Sequence, residues 1–150
     1  RVDGLRMGGA IHDIGKVNIP VEILNRPGKL SIFEFDMIKT HPQVGGEIIA
    51  GIDYPWPIRA MILQHHERLD GSGYPNGLAG DEIALEARII AVADVVDAIT
   101  SDRPYRPGRG MDEAIEEIER GRGTSYDPDL VDACVQLIQN EGFQLGAAPA

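Results

Sequence analysis

The residues of this 150-residue chain best suited to chemistry are its four histidines, which fall in three short motifs. His12 precedes Asp13 in the pentapeptide HDIGK, His41 lies in THPQVG, and His65 and His66 open the stretch HHERLDGSGYP. Imidazole and carboxylate groups together are ligands that divalent transition metals take in proteins. The pattern therefore predicts a metal site assembled from segments that are distant in the sequence.

A sixth candidate ligand, after the four histidines and Asp13, is Asp94, which interrupts the apolar run RIIAVADVVDAI. A carboxylate buried there costs several kcal/mol unless a cation or hydrogen-bond donors meet it. The alternative is a buried ion pair with an arginine such as Arg88. Asp97, one turn further along the same predicted helix, is expected to orient a ligand or cap a loop.

Each motif also has a structural interpretation without metal. Neighbouring residues on a helix point about 100° apart, so His12 and Asp13 share one groove only if the helix ends there or the bound object is broad. A metal cluster meets that condition, whereas a surface dipeptide near a helix end is the alternative. His41 precedes a proline, and its alternative role is a histidine at a helix bend that bonds to the backbone.

The amino-acid composition limits which classes of protein this chain can belong to. The chain has 43% hydrophobic residues and a net charge of -10, which fits one soluble domain and argues against a broad positive surface for nucleic acid. No apolar run approaches the roughly 20 residues of a membrane span and no signal peptide is recognisable, so a cytoplasmic location is expected. Cys134, the single cysteine, can form no internal disulfide.

The sequence predicts helices throughout, because no segment alternates apolar and polar residues as a strand does. Gly15 and Pro20 should end the helix that carries His12 and Asp13, and the chain leaves little room for a full helix before them. Ser31 and Glu34 predict a capping box. The other expected features are a break near His41-Pro42, a helix over Val44 to Ile52, a helix start at Pro55-Trp56-Pro57, and helices over Glu82 to Ser101, around Asp112 to Arg120 and Asp127 to near Gly142.

Four motifs, HDIGK, THPQVG, HHERLDGSGYP and ADVVDAITSDRPYR, span nearly the whole chain. In their order and spacing they resemble the HD-GYP family, a branch of the HD-type metal-dependent phosphohydrolases. The segments IPVEILNRPGKLS and YDPDLV are similar to that family too. A lone HD pair has little specificity, whereas motifs of this length are highly specific.

The resemblance implies an all-α, HD-type helical bundle that hydrolyses the bacterial second messenger cyclic di-GMP to pGpG, GMP or both. It implies two or three divalent transition metal ions, iron or manganese first, with nickel or zinc as alternatives. The metal ligands that it implies are His12, Asp13, His41, His65, His66 and Asp94. Asp13 would bridge two ions, and Asp13 and Lys16 would be the catalytic residues.

The resemblance also implies a set of residues around the substrate. The substrate-binding residues would be Lys16, Tyr74, Arg103 and Arg106. Guanidinium groups suit phosphate oxygens because they form paired, charge-assisted hydrogen bonds. The residues expected to support the ligands or shape the loop are Glu67, Arg68, Asp70, Gly73, Pro75 and Asp97.

The chain departs from the family pattern at its amino terminus. Family members resemble one another in a helix upstream of HDIGK that supplies a further metal ligand, and this sequence shows no candidate for it. We expect an amino-terminally truncated domain over residues 1–145, a flexible tail over residues 146–150, and a sensor or receiver domain in the full-length protein. Two alternatives are a non-catalytic binding or partner-docking module and an HD-type hydrolase of another nucleotide.

Overall fold

The computed structural model describes residues 1–102 and 108–140. Within those ranges the chain forms eight α-helices and two 3-10 helices and no β-strand, which confirms the all-α prediction. The α-helices are α1 Val2–Ile11, α2 Val21–Leu24, α3 Ile32–Ile38, α4 His41–Ile48, α5 Ile58–Gln64, α6 Leu85–Thr100, α7 Met111–Arg120 and α8 Pro128–Asn140. The 3-10 helices are Ile14–Asn18 and Gly80–Glu82.

Helix α6 joins two apolar clusters. Its residue Ile90 packs in a cluster with Ile58 and Ile62 of α5, while Val92 and Val96 pack in a second cluster against α7 and α8. A helix that is apolar on several faces is expected at the centre of a bundle. The site-bearing segments His12-Asp13 and His65-His66 follow directly after α1 and α5, two of the helices that contact α6.

The predicted start of the chain is wrong in one respect. Residues before His12 form a full helix of 10 residues, α1, where little room for one was expected. The helix ends at Ile11, and Asp13 lies between α1 and the 3-10 helix Ile14–Asn18. The backbone of His12 is still helical, whereas that of Asp13 departs from the helix, so both side chains can face the same point.

Helix α4 also differs from its prediction. It begins at His41 and ends at Ile48, whereas the predicted span ran from Val44 to Ile52. Pro42 is compatible with this start because a proline in the first turn of a helix loses no intrahelical hydrogen bond. The predicted break falls instead at Lys39 and Thr40, between α3 and α4.

Other helix boundaries agree with the local sequence signals. The capping box at Ser31 and Glu34 is present, with both reciprocal hydrogen bonds formed. Helix α6 starts at Leu85, three residues later than predicted, because Gly80–Glu82 forms a separate 3-10 turn. The predicted end of the last helix near Gly142 lies outside the described residues. No helix among residues 1–102 and 108–140 is long and apolar enough to cross a membrane.

Close packing between the 3-10 helix Ile14–Asn18 and α4 requires glycine. A Cβ atom on Gly15 would lie 1.9 Å from the carbonyl oxygen of His41 and 2.6 Å from the amide nitrogen of Gly45. Both distances are far below contact distance. This approach brings Asp13 and His41 to the same point of the molecule.

Candidate metal centre

Three of the four histidines take their ring orientation from a backbone carbonyl three residues earlier. Each donates a hydrogen bond from Nδ1: His12 to Gly9 at 2.6 Å, His41 to Ile38 at 2.7 Å and His65 to Ile62 at 2.8 Å. A neutral ring that donates from Nδ1 has an unprotonated Nε2 with a free lone pair. Such a bond fixes the tautomer and aims the other nitrogen, as is usual for metal-binding histidines.

These Nε2 atoms converge on the carboxylate of Asp13. The Nε2 of His41 lies 3.2 Å and that of His65 3.9 Å from Asp13 Oδ1, and the Nε2 of His12 lies 3.4 Å from Asp13 Oδ2. The Nε2 atoms of His41 and His65 are only 3.2 Å apart. Two neutral rings in this tautomer face each other with lone pairs, an arrangement that a cation between them would stabilise.

Unpartnered polar atoms support the same interpretation. Within the described part of the chain, His12 Nε2 and Asp13 Oδ1 are buried and have no hydrogen-bond partner. Buried polar atoms without a partner are rare in folded proteins and call for an explanation such as an ion. These atoms are the ones directed at the shared centre, so the residues present fit a bound metal.

The six predicted ligands form two groups that share Asp13. Asp13, His41, His65 and His66 each offer one ligand atom, and these atoms all lie within 4.8 Å of one another. On the other side, His12 Nε2 lies 3.5 Å from Asp94 Oδ1. Mixed imidazole and carboxylate donors suit iron, manganese, nickel or zinc, whereas calcium takes oxygen ligands almost exclusively.

Burial keeps two of these histidines in the neutral form that metals require. Burial lowers the pKa of His65 to about 4, and neighbouring histidines add to the effect. Burial likewise lowers the pKa of His66 to about 2. Both rings are therefore uncharged near neutral pH and available as ligands.

The pKa values of Asp13 and Asp94 are also lowered, which keeps these carboxylates charged. Burial alone would raise the pKa of Asp13, yet its close contacts with the His41 ring and the Lys16 ammonium outweigh it and hold the pKa well below its usual range. Burial also opposes ionisation of Asp94, and the neighbouring His12 ring lowers its pKa. Burial disfavours a charge on His12, but its close contact with Asp94 and its hydrogen bond with Gly9 raise its pKa. Two ionised carboxylates therefore face the histidine rings.

Lys16 stands beside the carboxylate at the rim of this centre. Its Nζ donates to Asp13 Oδ2 at 2.5 Å, and its side chain is 34% exposed. A lysine that is both tied to the ligand carboxylate and open to solvent can also reach a bound anion. Its predicted phosphate-side role stays a prediction.

The loop after His66 is fixed by a buried carboxylate. Glu67 is 2% exposed, and its two oxygens accept the backbone N–H groups of Asn76 at 2.8 Å and Leu78 at 3.0 Å. This bracing presents Tyr74, whose ring stacks on His66 with 4.7 Å between centroids and 26° between planes. Burial raises the pKa of the Tyr74 hydroxyl to about 12, so the phenol stays protonated and can donate a hydrogen bond.

The hydrogen bonds of Arg68 and Asp70 are local to the loop. Arg68 donates to the carbonyl oxygens of His65 and Glu67, and Asp70 accepts from Ser72. A Cβ on Gly73 would lie 2.4 Å from the Cα of Glu67, so the loop passes too close for a side chain. Pro75 follows Tyr74 through a cis peptide bond.

Two further predictions concern helix α6 and the segment after it. Arg88 pairs with Asp127 at 2.9 Å and Asp81 at 3.6 Å, so the alternative of an Arg88–Asp94 ion pair is wrong. Asp97 is exposed and accepts from the hydroxyl of Ser101, outside the four-residue cluster. Arg103 and Arg106 lie outside the described residues, and their substrate-binding role stays a prediction.

One neighbour of the site was missed in the sequence. The ring of Phe35, in α3, contacts the ring of Tyr74, which follows 39 residues later in the sequence. The sequence places Phe35 in an apolar helical segment, a pattern that indicates core packing. Only the fold shows that this side chain is largely exposed and lies beside the loop.

The family and the relatives of the chain agree with this geometry. A family model described as HD domain matches residues 2–130. The chain is 46% identical over 134 residues to the cyclic di-GMP phosphodiesterase response regulator RpfG of Xanthomonas campestris, a match that covers 88% of this chain and 35% of that protein. It is 38% identical over 144 residues to the 3'3'-cGAMP-specific phosphodiesterase 3 of Vibrio cholerae, covering 94% of this chain and 31% of that protein.

A solved structure shares the fold. An HDG"Y"P protein from Bdellovibrio bacteriovorus, Bd1817, superimposes with a TM-score of 0.73 at 20% identity, covering 91% of this chain and 44% of that chain. The chain thus belongs to the HD domain family. The resemblance to the HD-GYP branch, drawn from the four motifs, is confirmed by these relatives. The chain spans about a third of the length of the curated relatives it matches.

Proposed function

We propose that this chain is the metal-dependent catalytic domain of a phosphodiesterase that hydrolyses cyclic di-GMP to pGpG, GMP or both. The observation that carries the proposal is the convergence of three histidine Nε2 atoms on the carboxylate of Asp13, whose Oδ1 has no hydrogen-bond partner. The names of the relatives support the substrate, because several at 43% to 46% identity are called cyclic di-GMP phosphodiesterases.

Two divalent transition metal ions sharing Asp13 fit the described donors best, and iron or manganese are our first candidates. His41, His65 and His66 would hold one ion with Asp13, while His12 and Asp94 would hold the other. When bound, such ions lower the pKa of a coordinated water and neutralise charge that develops on the phosphate. A third ion would need ligands besides these six.

The chain's own residues would bind and orient the substrate. Lys16 lies beside Asp13 and would donate a charge-assisted hydrogen bond to a phosphate oxygen. The neutral phenol of Tyr74, whose ring stacks on His66, would donate a hydrogen bond to the same ligand. Arg103 and Arg106 would complete the phosphate contacts, as their motif predicts.

The test is hydrolysis of cyclic di-GMP by the protein reconstituted anaerobically with manganese or iron, beside elemental analysis. We expect Asp13→Asn to lose both metal and hydrolysis, because one carboxylate serves both groups of ligands. Asp53→Asn makes the same change at an exposed residue and should match the unaltered protein. Full activity of Asp13→Asn, or no transition metal in the unaltered protein, would exclude the proposal.

A second substrate is favoured by a specific observation. Relatives at 38% to 39% identity are named 3'3'-cGAMP-specific phosphodiesterases, so the same assay should compare both cyclic dinucleotides. Binding of either dinucleotide without hydrolysis would favour a non-catalytic signalling module. A sensor or receiver domain in the full-length protein and a cytoplasmic location belong to the same proposal, because RpfG is named a response regulator.

A further inference from the structure

Phe35 extends a row of rings from the metal centre to the surface. The first ring is His66, on which Tyr74 stacks with 4.7 Å between centroids. The ring of Phe35 meets Tyr74 at 6.4 Å with an angle of 80° between planes. Phe35 itself is 47% exposed, so the row ends in an aromatic ring that is open to solvent.

The open ring is held in place. The Nζ of Lys39, one turn later, lies 5.3 Å from the centroid of Phe35, and Lys39 is anchored to Asp36 at 2.6 Å. Tyr74 also contacts the ring, and Tyr74 belongs to the loop that Glu67 fixes. A ring positioned in advance loses little conformational freedom when a ligand covers it.

Core packing of helix α3 does not explain the position of Phe35. None of its seven residues is buried, so Phe35 does not fill the core. Phe33, on the same helix, is 83% exposed and has no ring or cation contact among the described residues. Phe35 thus differs from its neighbour in being tied to the site by Tyr74.

We propose that Phe35 is a stacking position for one purine base of the cyclic dinucleotide whose phosphate lies at the metal centre. The inference rests on the proposed function, which puts a nucleotide at this site. The bases of a dinucleotide project away from its phosphates, and the row of rings leads from His66 to the exposed ring of Phe35. Aromatic side chains bind bases by stacking, since every base presents a π face.

The experiment measures the dissociation constant of cyclic di-GMP on metal-replete protein by calorimetry. Loss of one base stack should weaken binding about five- to twentyfold in Phe35→Ala. Phe33→Ala removes the same side chain from the same helix without touching Tyr74, and its affinity should stay within about twofold. Cyclic di-UMP, with smaller pyrimidine faces, should lose less affinity than cyclic di-GMP when Phe35 is replaced.

Two variants separate stacking from support of Tyr74. Phe35→Leu keeps the apolar volume and loses the π face, so it should bind as weakly as Phe35→Ala, whereas Phe35→Trp should restore the affinity. Tryptophan fluorescence gives a second readout, because cyclic di-GMP should quench Phe35→Trp and leave Phe33→Trp unchanged. Full affinity in Phe35→Leu would reduce Phe35 to a support for Tyr74 and overturn the proposal.

The results also distinguish this inference from the proposed function. Unaltered protein that binds and hydrolyses cyclic di-GMP, together with equal affinities in Phe35→Ala and Phe33→Ala, overturns the stacking position alone. Unaltered protein that neither binds nor hydrolyses the dinucleotide overturns both.

Discussion

Each of His12, His41 and His65 donates its Nδ1 proton to a carbonyl oxygen of the preceding turn. The geometry is local, since the donor and acceptor are three residues apart, and it leaves Nε2 free in all three rings. The ligand types and their order are visible in the sequence. The tautomers are not, because they depend on where α1, α3 and α5 end.

Protonation of the buried rings should destabilise the metal-free protein as the pH falls. The pKa of His65 is lowered to about 4, while an unfolded histidine titrates near 6.5. Between these values the unfolded state binds more protons, so the free energy of unfolding decreases on acidification. His66 acts in the same direction, whereas the raised pKa of His12 opposes it. We expect a loss of about 2 to 4 kcal/mol from pH 6.5 to 4.5.

Urea denaturation in the presence of a chelator measures this loss. The lowered pKa values of Asp13 and Asp94 do not interfere, because their contribution to stability is lost only below the unfolded value near pH 4. The variant His65→Gln removes one of the titrating rings, and its pH dependence should be shallower. A free energy of unfolding that is constant or rises on acidification would contradict the assignment of neutral, buried rings.

At the scale of elements, the approach of the 3-10 helix Ile14–Asn18 to α4 fixes the distance between Asp13 and His41. Gly15→Ala places a methyl group against the carbonyl of His41, and neither backbone can retreat without moving a ligand. We expect a loss of about 3 kcal/mol or more in the free energy of unfolding, as for other backbone overpacking.

Gly9→Ala is the matched control for Gly15→Ala. Gly9 lies within α1, and a Cβ there meets nothing within 4 Å. Alanine favours the helical state over glycine by roughly 0.5 to 1 kcal/mol, so this variant should be slightly more stable than the unaltered protein. Equal effects of the two substitutions would show that α4 and the 3-10 helix are loosely packed.

The loop from Arg68 to Gly80 depends on one buried carboxylate. Glu67→Ala leaves the N–H groups of Asn76 and Leu78 without their acceptor, which should cost about 2 to 4 kcal/mol of unfolding free energy. Glu82→Ala removes an exposed carboxylate that accepts one backbone N–H, from Ala79, and should cost under about 1 kcal/mol. Chemical denaturation of both variants measures the difference, and equal costs would contradict the bracing role of Glu67.

Helix starts and stops were predictable where the signal is local. Ser31 and Glu34 form their capping box within four residues, and α5 starts after Pro57 as its flanking prolines indicate. The predicted start of α4 was wrong because Pro42 was interpreted as a break in the helix, whereas Pro42 lies in the first turn of α4. The alternative of an Arg88–Asp94 ion pair was wrong, since Arg88 bonds to Asp127, 39 residues away, and only the packing of α6 against the segment before α8 brings them together.

At the scale of the whole molecule, the acidic chain gathers its candidate metal ligands from four separate segments. His12 and Asp13 follow α1, His41 begins α4, His65 and His66 follow α5, and Asp94 lies within α6. An ion that binds all of these segments binds the folded chain and not the unfolded one. Metal binding should therefore stabilise the entire fold by mass action.

The expected size of this effect follows from linkage. An ion at about 100 times its dissociation constant adds about 2.7 kcal/mol, and each kcal/mol raises the midpoint of a 150-residue protein by about 2 to 4 °C. Manganese or iron should thus raise the melting temperature by about 5 to 10 °C, and a chelator should reverse the shift.

General charge screening must be separated from binding, because the chain carries a net charge of -10 and any salt relieves its self-repulsion. Calcium at the same concentration and sodium chloride at matched ionic strength provide the comparison in scanning calorimetry. Asp13→Asn should lose most of the manganese shift and keep whatever shift calcium produces, since Asp13 touches both groups of ligands. Equal shifts with manganese and calcium in the unaltered protein, or an undiminished manganese shift in Asp13→Asn, would mean that the ions act on the surface charge and not at the converging histidines.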